Sequence, residues 1–99
     1  MASVTQRSYR QPGRLIPPSA RRLKSRSVRL SPGQEIGWHS TDDREELILV
    51  IRGAVSLQMR DRRRSISLSA GRAVFIPAGA WHRVVNHSRR QAHYVYVTA

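Results

Sequence analysis

The sequence predicts an all-β sandwich or barrel with little helix, and three features of it lead there. Short segments rich in Val, Ile and Leu recur along the chain, punctuated by Gly and Pro every 8–12 residues or so. Several of them alternate polar and apolar residues with the period of a half-buried strand: Ser27–Leu30 reads SVRL, Ala54–Met59 AVSLQM and Ser65–Leu68 SISL. No window sustains the helical spacing of about 3.6 residues.

Taken in order, residues 1–26 form a basic arm that is partly disordered, and residues 27–99 form the β domain. SVRL is the first strand, and Ser31-Pro32-Gly33 turns the chain. His39 stands at a strand entrance. Leu47–Ile51 (LILVI) is a continuous apolar run closed by Gly53, and AVSLQM follows it. Asp61–Arg64 (DRRR) reads as an exposed hairpin tip leading into SISL. Ser69-Ala70-Gly71 turns again, Ala73–Ile76 (AVFI) is apolar, and Pro77-Ala78-Gly79 makes a tight turn. There proline presets φ and glycine accepts a positive one. Arg83–Val85 and Tyr94–Val97 (YVYV) complete the set.

With 99 residues, of which 39% are hydrophobic and 24% charged, the chain fits one soluble domain. No apolar stretch approaches the roughly 20 residues a bilayer-spanning helix needs, so no membrane partner is expected. The absence of cysteine excludes disulfides, thiolate ligands and cysteine nucleophiles. It also suits a reducing compartment, and the expected location is the cytoplasm. No apolar segment resembles a secretory signal, and Pro12, Pro17 and Pro18 oppose the amphipathic helix of a transit peptide.

The net charge of +12 is uneven. Residues 1–30 hold eight basic residues and no acid, whereas residues 31–99 hold ten arginines and six acids. Such an arm can dock on nucleic-acid phosphates, since arginine releases counterions from a polyanion; a solvated tail has the same composition. No helix-turn-helix, zinc-finger or RNA-binding signature accompanies it. Because an open sheet leaves strand edges to cover, the expected assembly is a homodimer.

Chemistry concentrates in the β domain, where all four histidines lie, at 39, 82, 87 and 93. Glu46 heads the LILVI run. A carboxylate buried there costs several kcal/mol unless a cation meets it, and a divalent metal shared with His39 and His82 would meet that need. Between the adjacent carboxylates, strand alternation sends only one of Glu45 and Glu46 into the barrel.

Two clusters carry a family resemblance. The first is Gly33, five residues, His39, Ser40, Thr41, four residues, Glu46, six residues, Gly53; the second is Gly71, five residues, Pro77, Ala78, Gly79, two residues, His82, three residues, Asn86. Together they resemble the paired motifs of the cupin superfamily, G(X)5HXH(X)3–4E(X)6G and G(X)5PXG(X)2H(X)3N. The second matches at every fixed position. The resemblance implies a small, single-domain, jelly-roll-like β-barrel over about residues 27–99 that binds a divalent metal. It selects Glu46 over Glu45 by the gap to Gly53. It departs at Thr41, where the family has a second histidine. A threonine hydroxyl is a poor ligand for a borderline metal, so the implied set is His39, Glu46 and His82, with Thr41 left to hydrogen-bond a metal-bound water or to fill space.

Two imidazoles and one carboxylate are the constellation of non-heme Fe(II) oxygenases. Fe2+ is therefore the favoured metal, with Zn2+, Mn2+, Ni2+ and Cu2+ as alternatives. Two functions follow: a metal-dependent enzyme acting on a small molecule, dioxygenase-like or an isomerase, or a non-catalytic module that holds a metal or small ligand as sensor, store or scaffold. No residue names the ligand. His87 and His93 read as surface or strand-face residues, with His93 the nearest substitute for the missing histidine. Trp38 and Trp81, each preceding a proposed ligand, should face outside the barrel or into a dimer contact. Arg83 should face away as well. For Phe75, Tyr94 and Tyr96, core packing is the default, with cavity lining as the alternative.

Overall fold

The computed structural model describes residues 3–99, the Arg62 side chain aside, so the first two residues of the arm lie outside it. Among the described residues, nine strands form two antiparallel sheets. The first sheet has the order β1 (Gly13–Arg14), β2 (Lys24–Leu30), β9 (Ala92–Thr98), β4 (Glu46–Arg52), β7 (Ala73–Ile76). The second has the order β3 (Glu35–His39), β8 (His82–Val85), β5 (Ala54–Met59), β6 (Ser65–Ser69). The only helical element among the described residues is a 3-10 turn, Asp61–Arg63, at the tip of the β5–β6 hairpin.

The inner faces of both sheets supply one core. Ile48 and Val50 of β4, Val55 and Leu57 of β5, Leu68, Ile76, Val84, Ala92 and Tyr94 are all buried in it, with Leu30 closing one side. Within LILVI the strand period is visible in burial: Glu46, Ile48 and Val50 point inward, Leu47 and Leu49 outward. The same alternation corrects the expectation for Phe75. Val74 and Ile76 face inward, so Phe75 projects from the outer face beside Leu47, its cross-strand partner, and is 57% exposed.

Gly53 closes β4 with φ +74°, and a Cβ there would lie 2.7 Å from the Gln91 carbonyl oxygen. Only glycine satisfies both the turn and that approach. Gly79 has φ +78° as the third residue of a turn in which the Ala80 amide donates to the Pro77 carbonyl, 3.3 Å away. That turn returns the chain from β7 of one sheet to β8 of the other. Asn86, fully buried, pins the far end of β8: its amide donates to the carbonyls of Leu30 (2.9 Å) and Arg90 (2.8 Å), and its oxygen accepts from the Ser88 amide. The fixed Gly, Pro and Asn positions of the motifs thus serve the fold, leaving the histidines and glutamate for chemistry.

The arm is not separate from the barrel. Gly13 and Arg14 pair with Ser27 and Arg26, and β2 itself begins at Lys24 rather than at Ser27. Upstream, the Ser27 hydroxyl donates to the Tyr9 carbonyl and accepts from His93 Nε2, while Arg29 donates to the Arg10 carbonyl at 2.9 Å.

Candidate metal centre

His39, Glu46 and His82 come from three strands in two sheets and meet at one end of the barrel. Glu46 opens β4, with its carboxylate on the inner face and only 5% of the residue exposed. Glu45 is exposed, and its backbone pairs with Ala99. His82 opens β8 immediately after the Pro77–Ala80 turn and is fully buried.

His39 reaches the site through an irregularity. Ile36 pairs with Val84 and His39 with His82, and the register shifts between them. In a regular strand Ile36 and Trp38 would share the inner face. The bulge around Gly37 reverses the parity, so that His39 turns inward and Trp38 outward. Trp38 is 43% exposed, with the Arg83 guanidinium 5.0 Å from its ring centre. Trp81 likewise lies outside, under Arg60.

One nitrogen of each ring is committed to the backbone. His82 Nδ1 donates to the Ala80 carbonyl at 2.9 Å and His39 Nδ1 to that of Gly37 at 2.7 Å. Each neutral ring is thereby held as the tautomer with a lone pair on Nε2, the arrangement found behind metal-ligating histidines. The two rings lie 4.3 Å apart between centroids, and one potential ligand atom from each of the three residues falls within 4.8 Å of the others.

Glu46 Oε1 approaches His82 Nε2 to 3.1 Å, an ion pair when His82 is protonated, and neither buried atom has any other polar partner. With His82 neutral, two acceptor atoms face each other unpaired in the core, which costs about 1–3 kcal/mol each and is uncommon in native proteins. Their separation is close to the ~3 Å expected of neighbouring ligands each about 2.1 Å from one ion. The donor set therefore fits a divalent cation. Without one, burial pulls the His82 pKa down, but the Glu46 carboxylate and the Ala80 carbonyl outweigh it and the net shift is upward.

Beside the cluster lies a cavity of about 700 Å³. His39, Glu46, Thr41, Tyr94 and Tyr96 line it, together with Lys24, Arg26 and Arg44 at its mouth. Tyr94 is also a core residue. Burial, then the Glu46 carboxylate, raises its pKa well above the ordinary tyrosine range, so the phenol stays protonated. Thr41 does not direct its hydroxyl to the cluster: Oγ1 donates to the Arg44 carbonyl at 2.7 Å. His87 is exposed beside Gln58. His93, buried on the outer face of β9, is no substitute for the absent histidine. Arg83 turns away from the cavity, donating to Gln58 Oε1 at 2.6 Å.

A first strand starting at Ser27 leaves Lys24 and Arg26 in the arm, whereas the observed β2 starts at Lys24 and brings both to the cavity. The signal lay in KSRSVRL, whose alternation places Lys24 and Arg26 on the same face as Val28 and Leu30.

Residues 26–98 match the cupin domain family. No curated protein matches the chain. Among solved structures, a Cupin 2 conserved barrel domain protein from Salinispora arenicola CNS-205 superposes with a TM-score of 0.77 at 20% identity, over 99% of this chain and 88% of that one. A protein from Bacillus halodurans gives 0.73 at 24% identity, over 79% of this chain and 62% of that one. A predicted oxalate decarboxylase from Thermotoga maritima gives 0.70 at 19% identity, over 76% and 64%. The chain thus spans less than two thirds of the latter two.

Proposed function

The chain belongs to the cupin family, and from that membership we propose that it holds one divalent metal ion through His39, Glu46 and His82 and presents it to a small molecule in the adjoining cavity. The observation that carries this reading is the convergence of one potential ligand atom each from His39, Glu46 and His82 within 4.8 Å, with Glu46 Oε1 and His82 Nε2 buried and lacking any polar partner but each other. Two imidazoles and a carboxylate leave coordination positions open and favour Fe2+, with Zn2+, Mn2+, Ni2+ and Cu2+ compatible with the same donors. A bound ion supplies Lewis acidity and, if it is iron, redox chemistry of the dioxygenase kind. The protein's share is to fix both imidazoles through the Gly37 and Ala80 carbonyls, to bury the carboxylate, and to wall the cavity with Tyr94 and Tyr96.

Elemental analysis of protein purified without added metal, beside a His39→Ala/His82→Ala variant, tests the proposal. Wild type should carry about one ion per chain and the variant almost none. Equal metal in both would end it.

A non-catalytic binding module is the second reading, and Thr41 favours it. With its hydroxyl committed to Arg44, the family's fourth protein ligand has no replacement at that position. Oxygen uptake by the Fe2+-loaded chain over a panel of small molecules separates the two. Turnover lost in Glu46→Gln supports an enzyme; ligand binding without turnover supports the module. A cysteine-free chain of this kind is expected in the cytoplasm, as a homodimer joined through the outer face of the larger sheet, where Leu47, Leu49 and Phe75 are exposed. Docking of the arm on nucleic acid gains no support from Arg7 and Arg29, which donate to the arm's own backbone carbonyls.

A further inference from the structure

The inner face of β2 carries charge where a strand facing a core would carry apolar side chains. Leu30 and Val28 pack toward the interior, and the next two residues on that face, Arg26 and Lys24, are exposed at the cavity mouth. The outward positions between them, Ser25 and Ser27, are buried. Register fixes the arrangement. Lys24 lies opposite Thr98, which lies opposite Glu46; Arg26 lies opposite Tyr96, which lies opposite Ile48. With strands about 4.8 Å apart, the backbone of Lys24 runs some 10 Å across the concave face from that of Glu46. That distance suits a small molecule touching both.

The basic groups around the mouth differ in their freedom. Arg44 is tied down, donating to Thr98 Oγ1 (3.2 Å), to the Thr98 carbonyl (3.1 Å) and to the Arg22 carbonyl. Arg29 is engaged with the Arg10 carbonyl. Among the described residues, neither Lys24 nor Arg26 meets a carboxylate, and neither makes a side-chain hydrogen bond. Asp42 is the acid on the rim. It accepts from the Ser40 hydroxyl across 3.4 Å and pairs with neither base. The Tyr96 phenol is raised in pKa by burial, against the opposing pull of Arg26, and so remains a donor on the same wall.

We propose that the small molecule taken by this cavity is an organic acid, its carboxylate held by Arg26 and Lys24 while the rest of it extends past Tyr96 toward His39 and Glu46. The proposal rests on the metal-and-cavity reading above and adds the class of ligand. Arg26 offers the planar fork that matches a carboxylate in two parallel hydrogen bonds, and Lys24 a second positive charge beside it. With an ion at the cluster, the field in the cavity is positive from both ends, which favours an anion over a neutral or basic molecule.

Calorimetry on the full chain tests this with Mn2+ alone and then, on the Mn2+-loaded chain, with succinate, benzoate and inorganic phosphate as probes. Both carboxylates should bind. Affinity should fall about tenfold or more in Arg26→Gln and further in Lys24→Gln/Arg26→Gln. Mn2+ affinity should stay within about twofold, since both residues are exposed and neither is a proposed ligand of the ion. Carboxylate binding that is absent, or undiminished in the double variant while Mn2+ still binds, would overturn the proposal. So would tighter binding of phosphate than of either carboxylate with the same dependence on Arg26. Failure of Mn2+ to bind wild type would instead strike the metal reading. The carboxylate arms would then be read on the metal-free chain, where dependence on Arg26 supports the proposal and its absence rejects it.

Discussion

His82 is the residue on which the site turns, because it is fully buried, fixed at Nδ1 by the Ala80 carbonyl, and left at Nε2 facing only Glu46. Outer-sphere partners of a ligand are worth 10–100-fold in metal affinity as a rule of thumb, so removal of a ligand itself should cost more. His82→Ala is expected to weaken Mn2+ binding by more than about 100-fold in a titration, while Thr41→Val leaves it nearly unchanged. Metal binding must also displace the proton that Glu46 and the Ala80 carbonyl encourage onto His82 against the opposing effect of burial. Affinity should therefore drop as pH falls through that raised pKa, by up to about tenfold per unit, a slope that calorimetry in several buffers can read.

At the scale of elements, β2 and β9 bind the arm through Ser27 and His93. Burial, then Arg29, lowers the His93 pKa, with Arg10 adding to this and the Tyr9 carbonyl opposing it. A neutral His93 thus contributes stability that is full above the ordinary histidine value of about 6.5 and lost as pH falls through its lowered pKa. His82 has the opposite sign in the metal-free chain: its contribution is full below about 6.5 and lost as pH rises through its raised pKa. The metal-free protein should therefore be most stable near pH 6.5 or so in a thermal melt. His93→Gln should flatten the acid limb, and bound metal, which takes neutral His82, should remove the alkaline one. A Tm rising steadily from pH 5 to 8 in the metal-free wild type would contradict the pair of assignments.

The same elements show what sequence could and could not convey. LILVI, AVSLQM, SISL and AVFI were readable as strands because apolar residues mark their buried faces. In β3 no residue is buried, and the alternation of EIGWH misleads, since it sets Ile36 with Trp38 and turns His39 to the opposite face. The bulge that turns His39 inward is a matter of pairing with β8, and only the motif spacing pointed to it. Glu46 and His82 were legible for the converse reason: rigid turns at Gly53 and Pro77–Gly79 fix their positions relative to the core. Lys24 and Arg26 were hidden because a run of basic residues reads as arm until its pairing with β9 is known.

Over the whole molecule, the two faces of the larger sheet divide the work. The concave face contributes Glu46 to the cluster and walls the cavity; the convex face exposes Leu47, Leu49 and Phe75 side by side. Contiguous apolar side chains on an exposed sheet face favour burial against another surface, and a second copy is the occupant expected here. Sedimentation should show a dimer for wild type and a monomer for Leu49→Lys/Phe75→Lys, with metal affinity unchanged because neither residue faces the cavity. A wild-type monomer at high protein concentration would rule this out. No helix among the described residues is long and apolar enough to cross a membrane.

The most direct test is anomalous diffraction from crystals of the full chain soaked in Mn2+. A single strong peak enclosed by His39, Glu46 and His82 is predicted, vanishing in His82→Ala crystals. Density placing the ion elsewhere, or no peak between those three side chains at saturating Mn2+, would contradict the account.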